Sequence, residues 1–375
     1  MIAEIRKTPI GGPIKDFLNV VDYIYRDDPN YIRPLNFEIK QRLSPKHPFF
    51  EHAEGVILTA HRNGYCVGRC TAQIDREHLA RYRDDVGFFG MIDTIEDESV
   101  ARGLLDTAAE WLSERGMKRM RGPLSLNIND EVGCLVEGFD TPPMVMTPHH
   151  RPYQGPLIEA VGLDKLKDLY AWRYVVGDIP PRARRAHDEI EALPEVKARS
   201  CRVKELAAEV RTIIDVFNDA WSENWGFVPY TERELRALVD MLKLIIRPEL
   251  TMIVNINDEP AAVALALPNI NEAIAGLHGK LTPTNLAKLI WRIKVRGPRT
   301  ARLIVLGIRK KYRNVKKYAG LSTFMYARMN HAGQRCGIDW GELSWTLEDN
   351  APVNVGIKFM GGKVYKRYRL FERTI

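Results

Sequence analysis

The stretch Ala301–Met329, ARLIVLGIRKKYRNVKKYAGLSTFMYARM, decides how the rest of the chain is read. It opens with an apolar run, Leu303 to Ile308, of the length of a buried strand. It then turns strongly basic through Arg309, Lys310, Lys311, Arg313, Lys316 and Lys317. The small-residue turn Ala319-Gly320-Leu321-Ser322 follows, and a helical pattern carries Phe324, Met325, Ala327 and Arg328. A strand, a basic loop and a helix start in that order can form an anion site. Free backbone N–H groups and the helix dipole point at a phosphate, and a glycine lets the backbone come close.

Working outward, 375 residues suit two domains of ordinary size. The balance of 45% hydrophobic and 27% charged residues is that of a globular protein. No apolar run reaches membrane-spanning length and the N-terminus does not read as a signal peptide, so a cytoplasmic protein is expected. The five cysteines are odd in number and scattered, which argues against a disulfide framework. Cys66 and Cys70 lack a second Cys/His pair at ligand spacing and read as strand hydrophobes, so no metal is expected. A net charge of +7 calls for an anionic partner: nucleic acid, a membrane surface or a phosphorylated cofactor.

In the first half a helix is expected over 16–25 and another near Asn36–Leu43. Strands follow at Gly55–His61 and Tyr65–Asp75, joined at Asn63-Gly64, a strong hairpin signal. A strand at Val86–Ile95 leads to a helix over 98–115 with apolar Val100, Leu104, Leu105, Ala108 and Leu112 at a 3.6-residue period, and a strand near 118–122 closes the set. Residues 121–172 mix Gly, Pro, Asn and Asp with many apolar side chains, as an ordered functional loop does. Residues 179–200, with Pro180-Pro181 and many charges, read as a linker. The second half repeats the order: helices over 207–220 and 232–246, strands at 250–256 and 261–267, a basic Trp-containing helix over 286–295, then the opening stretch and strands at 339–347 and near 363–372.

The spacing Lys317-x-x-Gly320-x-Ser322 resembles the pyrophosphate-loop signature of the GNAT acyltransferase superfamily. The tail resembles its Asn-x-x-Ala-x-x-x-Tyr-x-x-x-Gly-Phe ending at Asn350 and Gly361, with Val353 and Ile357 in place of the Ala and Tyr. In many members that Tyr protonates the leaving thiolate; Ile357 cannot. Three separated strings extend the likeness along nearly the whole chain: Asn129-Asp130-Glu131-Val132-Gly133-Cys134-Leu135-Val136-Glu137-Gly138-Phe139-Asp140, Asn224-Trp225-Gly226-Phe227-Val228-Pro229 and Met360-Gly361-Gly362-Lys363-Val364-Tyr365-Lys366-Arg367-Tyr368. They resemble a family of bacterial tandem GNAT-like proteins similar to the bacterial ceramide synthases. The resemblance implies an α/β (α+β) fold with two GNAT-like domains, each a mixed, mostly antiparallel sheet flanked by helices. The expected division is 1–178 (acceptor side), the linker 179–200, and 201–375 (acyl-CoA side). It further implies transfer of an acyl group from coenzyme A, or from acyl-carrier protein, to a lipid-like amine such as a sphingoid base, with no tightly bound cofactor.

Amide formation from a thioester needs a neutral amine, a proton acceptor and a donor for the developing oxyanion, but no covalent nucleophile. Candidate proton acceptors are Glu131, His149, His150 and Glu342, the last on a strand beside the expected thioester. Cofactor contacts are expected from Leu306, Gly307 and Ile308 on the strand, from Lys316, Lys317, Gly320, Leu321 and Ser322 in the loop, and from Asn350. Acceptor contacts are expected from Asn129, Asp130 and Tyr153 in the first half, and from Glu223, Asn224, Trp225 and Phe227 in the second. The equivalent loop of the first half, Glu96-Asp97-Glu98-Ser99, is acidic and would repel a pyrophosphate. Between Glu272 and Asp339 there is no acidic residue. The segment Leu286–Arg296 there has an apolar side with Trp291, as an interfacial helix on anionic lipid does. The competing readings are a catalytically silent protein that binds anionic lipid or nucleic acid, and an acyltransferase for another amine; no nucleic-acid module is recognisable.

Overall fold

The computed structural model describes residues 3–375. In chain order the strands are β1 (Glu4–Pro9), β2 (Ala53–Arg62), β3 (Tyr65–Asp75), β4 (Val86–Thr94), β5 (Arg119–Gly122), β6 (Cys134–Glu137), β7 (Asp164–Val175), β8 (Val196–Arg199), β9 (Thr251–Ile256), β10 (Glu259–Pro268), β11 (Thr300–Ile308), β12 (Trp340–Leu347) and β13 (Lys363–Thr374). The helices are α1 (Lys15–Ile24), α2 (Asn36–Arg42), α3 (Arg76–Tyr82), α4 (Glu98–Ser113), α5 (Gln154–Ala160), α6 (Pro181–Glu191), α7 (Leu206–Trp221), α8 (Glu232–Ile245), α9 (Asn271–Ile274), α10 (Pro283–Trp291), α11 (Lys310–Arg313), α12 (Leu321–Arg335) and α13 (Ala351–Phe359).

These elements form two compact units. The first runs through Leu169 and takes in Ile274–Leu289 and Lys366–Ile375; the second is Tyr170–Ala273 with Ile290–Tyr365. The units are therefore not the two successive stretches 1–178 and 201–375, because the chain changes unit inside β7 and again inside β13. Residues 179–200 are not a linker. Helix α6 buries Ala183 and Ile190 in the core of the second unit, and β8 pairs with β9 from Val196↔Ile256 to Arg199↔Ile253. The many charges of α6 occupy its outer side and hid two buried positions seven residues apart, which lie on one face.

In the first unit β1, β2, β3 and β4 are antiparallel, β4 and β5 parallel, and the end of β13 is antiparallel to β5 and β6. The β2–β3 hairpin turns at Asn63 and Gly64, with φ of 53° and 80°; both residues accept the positive φ that a two-residue turn demands. Val100, Leu104, Leu105, Ala108 and Leu112 of α4 pack on Val56, Leu58 and Ala60. Strand alternation turns Ile57 to the opposite face, where Phe17 and Leu18 of α1 cover it.

The second unit repeats this plan. Strands β8 to β11 are antiparallel neighbours and β12 is parallel to β11. The β9–β10 turn again uses two positive-φ residues, Asn257 and Asp258. Ala262, Ala264 and Ala266 of β10 share a core with α6 and α12, while α7 packs on the other face of β10 and β11. Thr231 and Glu234 form a reciprocal capping box at the start of α8.

The last ten residues contribute Tyr368, Leu370 and Phe371, all buried, to the first unit. Phe371→Ala should cost about 3–5 kcal/mol by leaving a core cavity, measured by denaturant unfolding. Deletion of residues 366–375 should abolish cooperative folding of the first unit.

Candidate active site

Strand β11 is the framework of the site. Its register with β10 passes from Leu265↔Val305 to Ala266↔Leu303, so Ile304 is an extra residue, a β-bulge. On its other edge the parallel ladder with β12 begins at Thr300↔Trp340 and ends at Leu303↔Leu343. Beyond that pair the strands part, and the edge of Val305–Ile308 that faces β12 has no ladder partner there. A bulge re-aims backbone groups, and an N–H released from a ladder is a pre-positioned donor for an oxyanion.

A buried polar cluster lies at the same level. Arg302 and Glu342 are opposite each other in the register and almost wholly buried. Arg302 Nε lies 3.3 Å from Glu342 Oε1 and donates to Ser344 Oγ at 2.8 Å. The hydroxyls of Ser344 and Tyr365 both donate to the Glu342 carboxylate. Glu342, expected on a strand beside the thioester, is one member of this cluster. Arg302, Ser344 and Tyr365 were missed; the one signal was a charged residue directly before the apolar run of β11.

The basic loop is largely tied to neighbouring acids. Lys310 pairs with Glu223 at 2.7 Å, Lys311 with Glu259 at 2.6 Å, Arg309 with Asp215 and Lys317 with Glu195. Each pair has at least one partner about half-exposed or more, and such pairs contribute little to stability. Gly320 starts α12 with φ −85°, open to any residue. Its missing side chain has a packing reason: a Cβ there would lie 3.2 Å from Ala186 O and from Ile190 Cγ1 of α6. Leu321 is a core residue and can offer only its backbone, while Ser322 and Lys316 are not buried. Leu306 and Ile308 pack at the edge of the core, and a Cβ on Gly307 would lie 3.1 Å from that of Ala220. Asn350 begins α13 without a side-chain cap bond, and Ile357 is buried.

Trp221 at the end of α7 and Phe227 and Tyr230 in the α7–α8 loop gather round Phe217, with ring centroids 5.1, 5.7 and 6.4 Å away. Trp225 is half-buried. Asn224 bridges the turn, donating to Trp221 O and accepting from Phe227 N–H. Glu223 is solvent-exposed on Lys310.

The first unit has the same bulge and the same parting of strands, but the space is filled. The β4–β5 ladder ends at Phe88↔Arg121, and β4 bulges between Gly90 and Asp93, with Met91 at φ 43°. Leu124 N–H donates to Phe89 O at 2.8 Å, and Gln73 Nε2 donates to the carbonyls of Leu124 and Leu126. A Cβ on Gly90 would sit 1.8 Å from Leu124 O. The helix start that follows is closed to anions as well: Asp97 caps α4 and binds Arg62 at 2.8 Å, which holds its carboxyl down to about 2.

The first-unit candidates are engaged in structure. Glu131 pairs with Arg42 at 3.2 Å. Asn129 N–H and Asp130 N–H close the turn on Asn127. Tyr153 donates to Thr94 O at 2.8 Å, and burial pushes its phenol up to about 12. His149 Nε2 meets Asp28 Oδ2 at 2.9 Å, beside a Tyr25–Asp93–Arg69 network that the sequence reading did not anticipate. Burial draws the His149 imidazole below its usual value against the pull of Asp28. His150 Nδ1 accepts from Leu135 N–H at 3.1 Å, and burial takes its pKa down to about 4.

No family model matches the chain. It is 40% identical over 380 residues, all of this chain and 98% of the other, to the bacterial ceramide synthase of Caulobacter vibrioides. It is 40% identical over 364 residues, 96% and 93% of the two chains, to protein YghO of Escherichia coli. Among solved structures it resembles a tandem GNAT protein from the clavulanic acid biosynthesis pathway (TM-score 0.59, 10% identity, 99% and 98% coverage). It also resembles a GCN5-related N-acetyltransferase from Sphaerobacter thermophilus (TM-score 0.55, 12% identity, 99% and 95% coverage). The fold is a tandem GNAT fold, and the protein is an N-acyltransferase. The chain belongs to the bacterial tandem GNAT-like family that includes the bacterial ceramide synthase.

A histidine whose folded pKa lies below its unfolded value, near 6.5, contributes stability at higher pH and loses it as pH falls from 6.5 toward 4. The unfolding free energy should therefore drop over that interval, by up to about 1.4 kcal/mol per pH unit from this group. His150→Gln should show the shallower slope in denaturant titrations across the same pH range.

Proposed function

We propose that this N-acyltransferase moves a long-chain acyl group from coenzyme A to the primary amine of a lipid-like acceptor, a sphingoid base. The donor assignment is supported by the β11–β12 ladder ending at Leu303↔Leu343 in the second unit, whereas in the first unit the backbone of Leu124 and Leu126 packs against Gly90 and Gln73 where the β4–β5 ladder ends. The acceptor class rests on the ceramide synthase relative, since a ceramide is an N-acylated sphingoid base. The pantetheine lies along the unpaired edge of Val305–Ile308, and the pyrophosphate lies over Lys316, Lys317 and the start of α12.

In the reaction the neutral amine attacks the thioester carbonyl. The C–N bond forms, the oxyanion takes an N–H near the Ile304 bulge, and collapse breaks the C–S bond. The amine proton passes to the Glu342 cluster, with Tyr365 and Ser344 as the hydroxyls that hold its carboxylate. A proton then returns to the thiolate, from the cluster or from water, because Ile357 has none to give.

A lipid acceptor also needs a way to the protein. Helix α10 packs Leu289 against Leu35, Ile274 and Leu277, yet leaves Leu286, Ile290 and Trp291 exposed, the last at 54%. Val295 in the π-turn Arg292–Arg296 is exposed too, and Lys288, Lys294 and Arg296 surround this apolar side. Such a face suits adsorption to anionic lipid. Among the described residues no helix is long and apolar enough to cross a membrane.

Incubation with long-chain acyl-CoA and a panel of amines should yield N-acylated long-chain amine and free CoA, read by mass spectrometry. Glu342→Gln should lower kcat about a hundredfold, and Lys316→Glu with Lys317→Glu should raise the KM for acyl-CoA. Absence of acylated product with every long-chain amine would overturn the assignment. Lys288→Glu with Lys294→Glu should weaken binding to phosphatidylglycerol vesicles by about 1 kcal/mol per lost cation, or more given the charge reversal. Co-sedimentation at unchanged strength would show that α10 is not the contact.

A further inference from the structure

Beneath the point where β11 and β12 part, the second unit holds an apolar cavity of about 50 Å³. Leu303 and Leu343, the last paired residues of the ladder, form its upper wall. Ala301, Leu250, Met329 and Met360 continue it down between the sheet and α12. Its polar wall groups offer a guest almost nothing. Glu342 turns its carboxylate to the strand face opposite Leu343, where Arg302, Ser344 and Tyr365 hold it, and the Asn330 amide is bonded to both backbone groups of Gly177. The Tyr174 hydroxyl is buried without a partner. A resident water needs two to four polar partners, so one hydroxyl does not hold it, and a dry apolar cavity takes apolar guests.

We infer that this cavity receives part of the alkyl chain of the acyl donor and thereby sets the preferred chain length. The inference rests on the reading that the second unit binds the thioester. A carbonyl at the Ile304 bulge is one residue along β11 from Leu303, which lines the cavity together with Leu343. The volume corresponds to roughly three to five water-sized groups, about four methylenes of chain. Each methylene that loses its apolar surroundings lowers kcat/KM about fourfold.

The test is the profile of kcat/KM against acyl-CoA chain length in the full-length protein. Ala266→Val with Ala301→Val fills the cavity and should move the optimum toward shorter chains by two to four carbons. The ratio of the original optimum to a chain four carbons shorter should fall at least tenfold. Met329→Ala, at a partly exposed position and therefore gentler on folding, should move the optimum the other way. An unmoved profile in either folded variant, with thermal unfolding near that of the parent, would overturn the cavity assignment while leaving the donor site standing. A parent protein that transfers no chain from any acyl-CoA would remove the underlying donor reading and this inference with it.

Discussion

The parallel ladder between β11 and β12 stops after four residue pairs, and the proposed site depends on that stop. A ladder that continued to Ile308 would consume the backbone donors that the proposed thioester site uses. The stop coincides with the Ile304 bulge and with a buried charge pair, Arg302 and Glu342, directly below it. A buried ion pair is seldom retained for stability, since apolar residues of similar volume do as well or better. Removing one partner, however, leaves an uncompensated charge. The cluster therefore ties the chemistry of Glu342 to the integrity of both strands.

The same bulge and ladder stop are present in the first unit, where the space beyond them is filled. The bulge at Met91 and the early end of the β4–β5 ladder reproduce the geometry, but backbone from Leu124 to Leu126 occupies the opening and Gln73 holds it there. The acidic N-cap Asp97 stands where the second unit has Gly320. Filling the opening buries peptide groups, which must be paired, and the side chain of Gln73 supplies that pairing. The result is a unit whose polar residues, His149, His150 and Glu131 among them, are spent on internal bonds.

Much of the local structure was legible in the sequence. The Asn63-Gly64 hairpin, the α4 stripe from Val100 to Leu112, the strand at 303–308 and the acidic character of the first-unit helix start all follow from periodicity, turn chemistry and capping. Glu342 was legible as a carboxylate on the strand expected over 339–347. The buried state of His149 and His150 was not, because their partners Asp28 and Leu135 lie 121 and 15 residues away along the chain. The fold of 179–200 was hidden because its charge density outweighs the two residues that α6 buries.

Separated strings along the chain carried the resemblance to an acyltransferase family, and by itself the sequence determined many of the elements, their repeated order and the basic charge of the loop in the second half. These are properties of neighbouring residues, set by period, turn and charge within a few positions. Tertiary structure alone decided which opening between strands stays empty, which residues surround Glu342, and that the last ten residues complete the first unit rather than the second. Each of those outcomes depends on pairing between segments far apart in the chain, where register and backbone sterics leave no local trace.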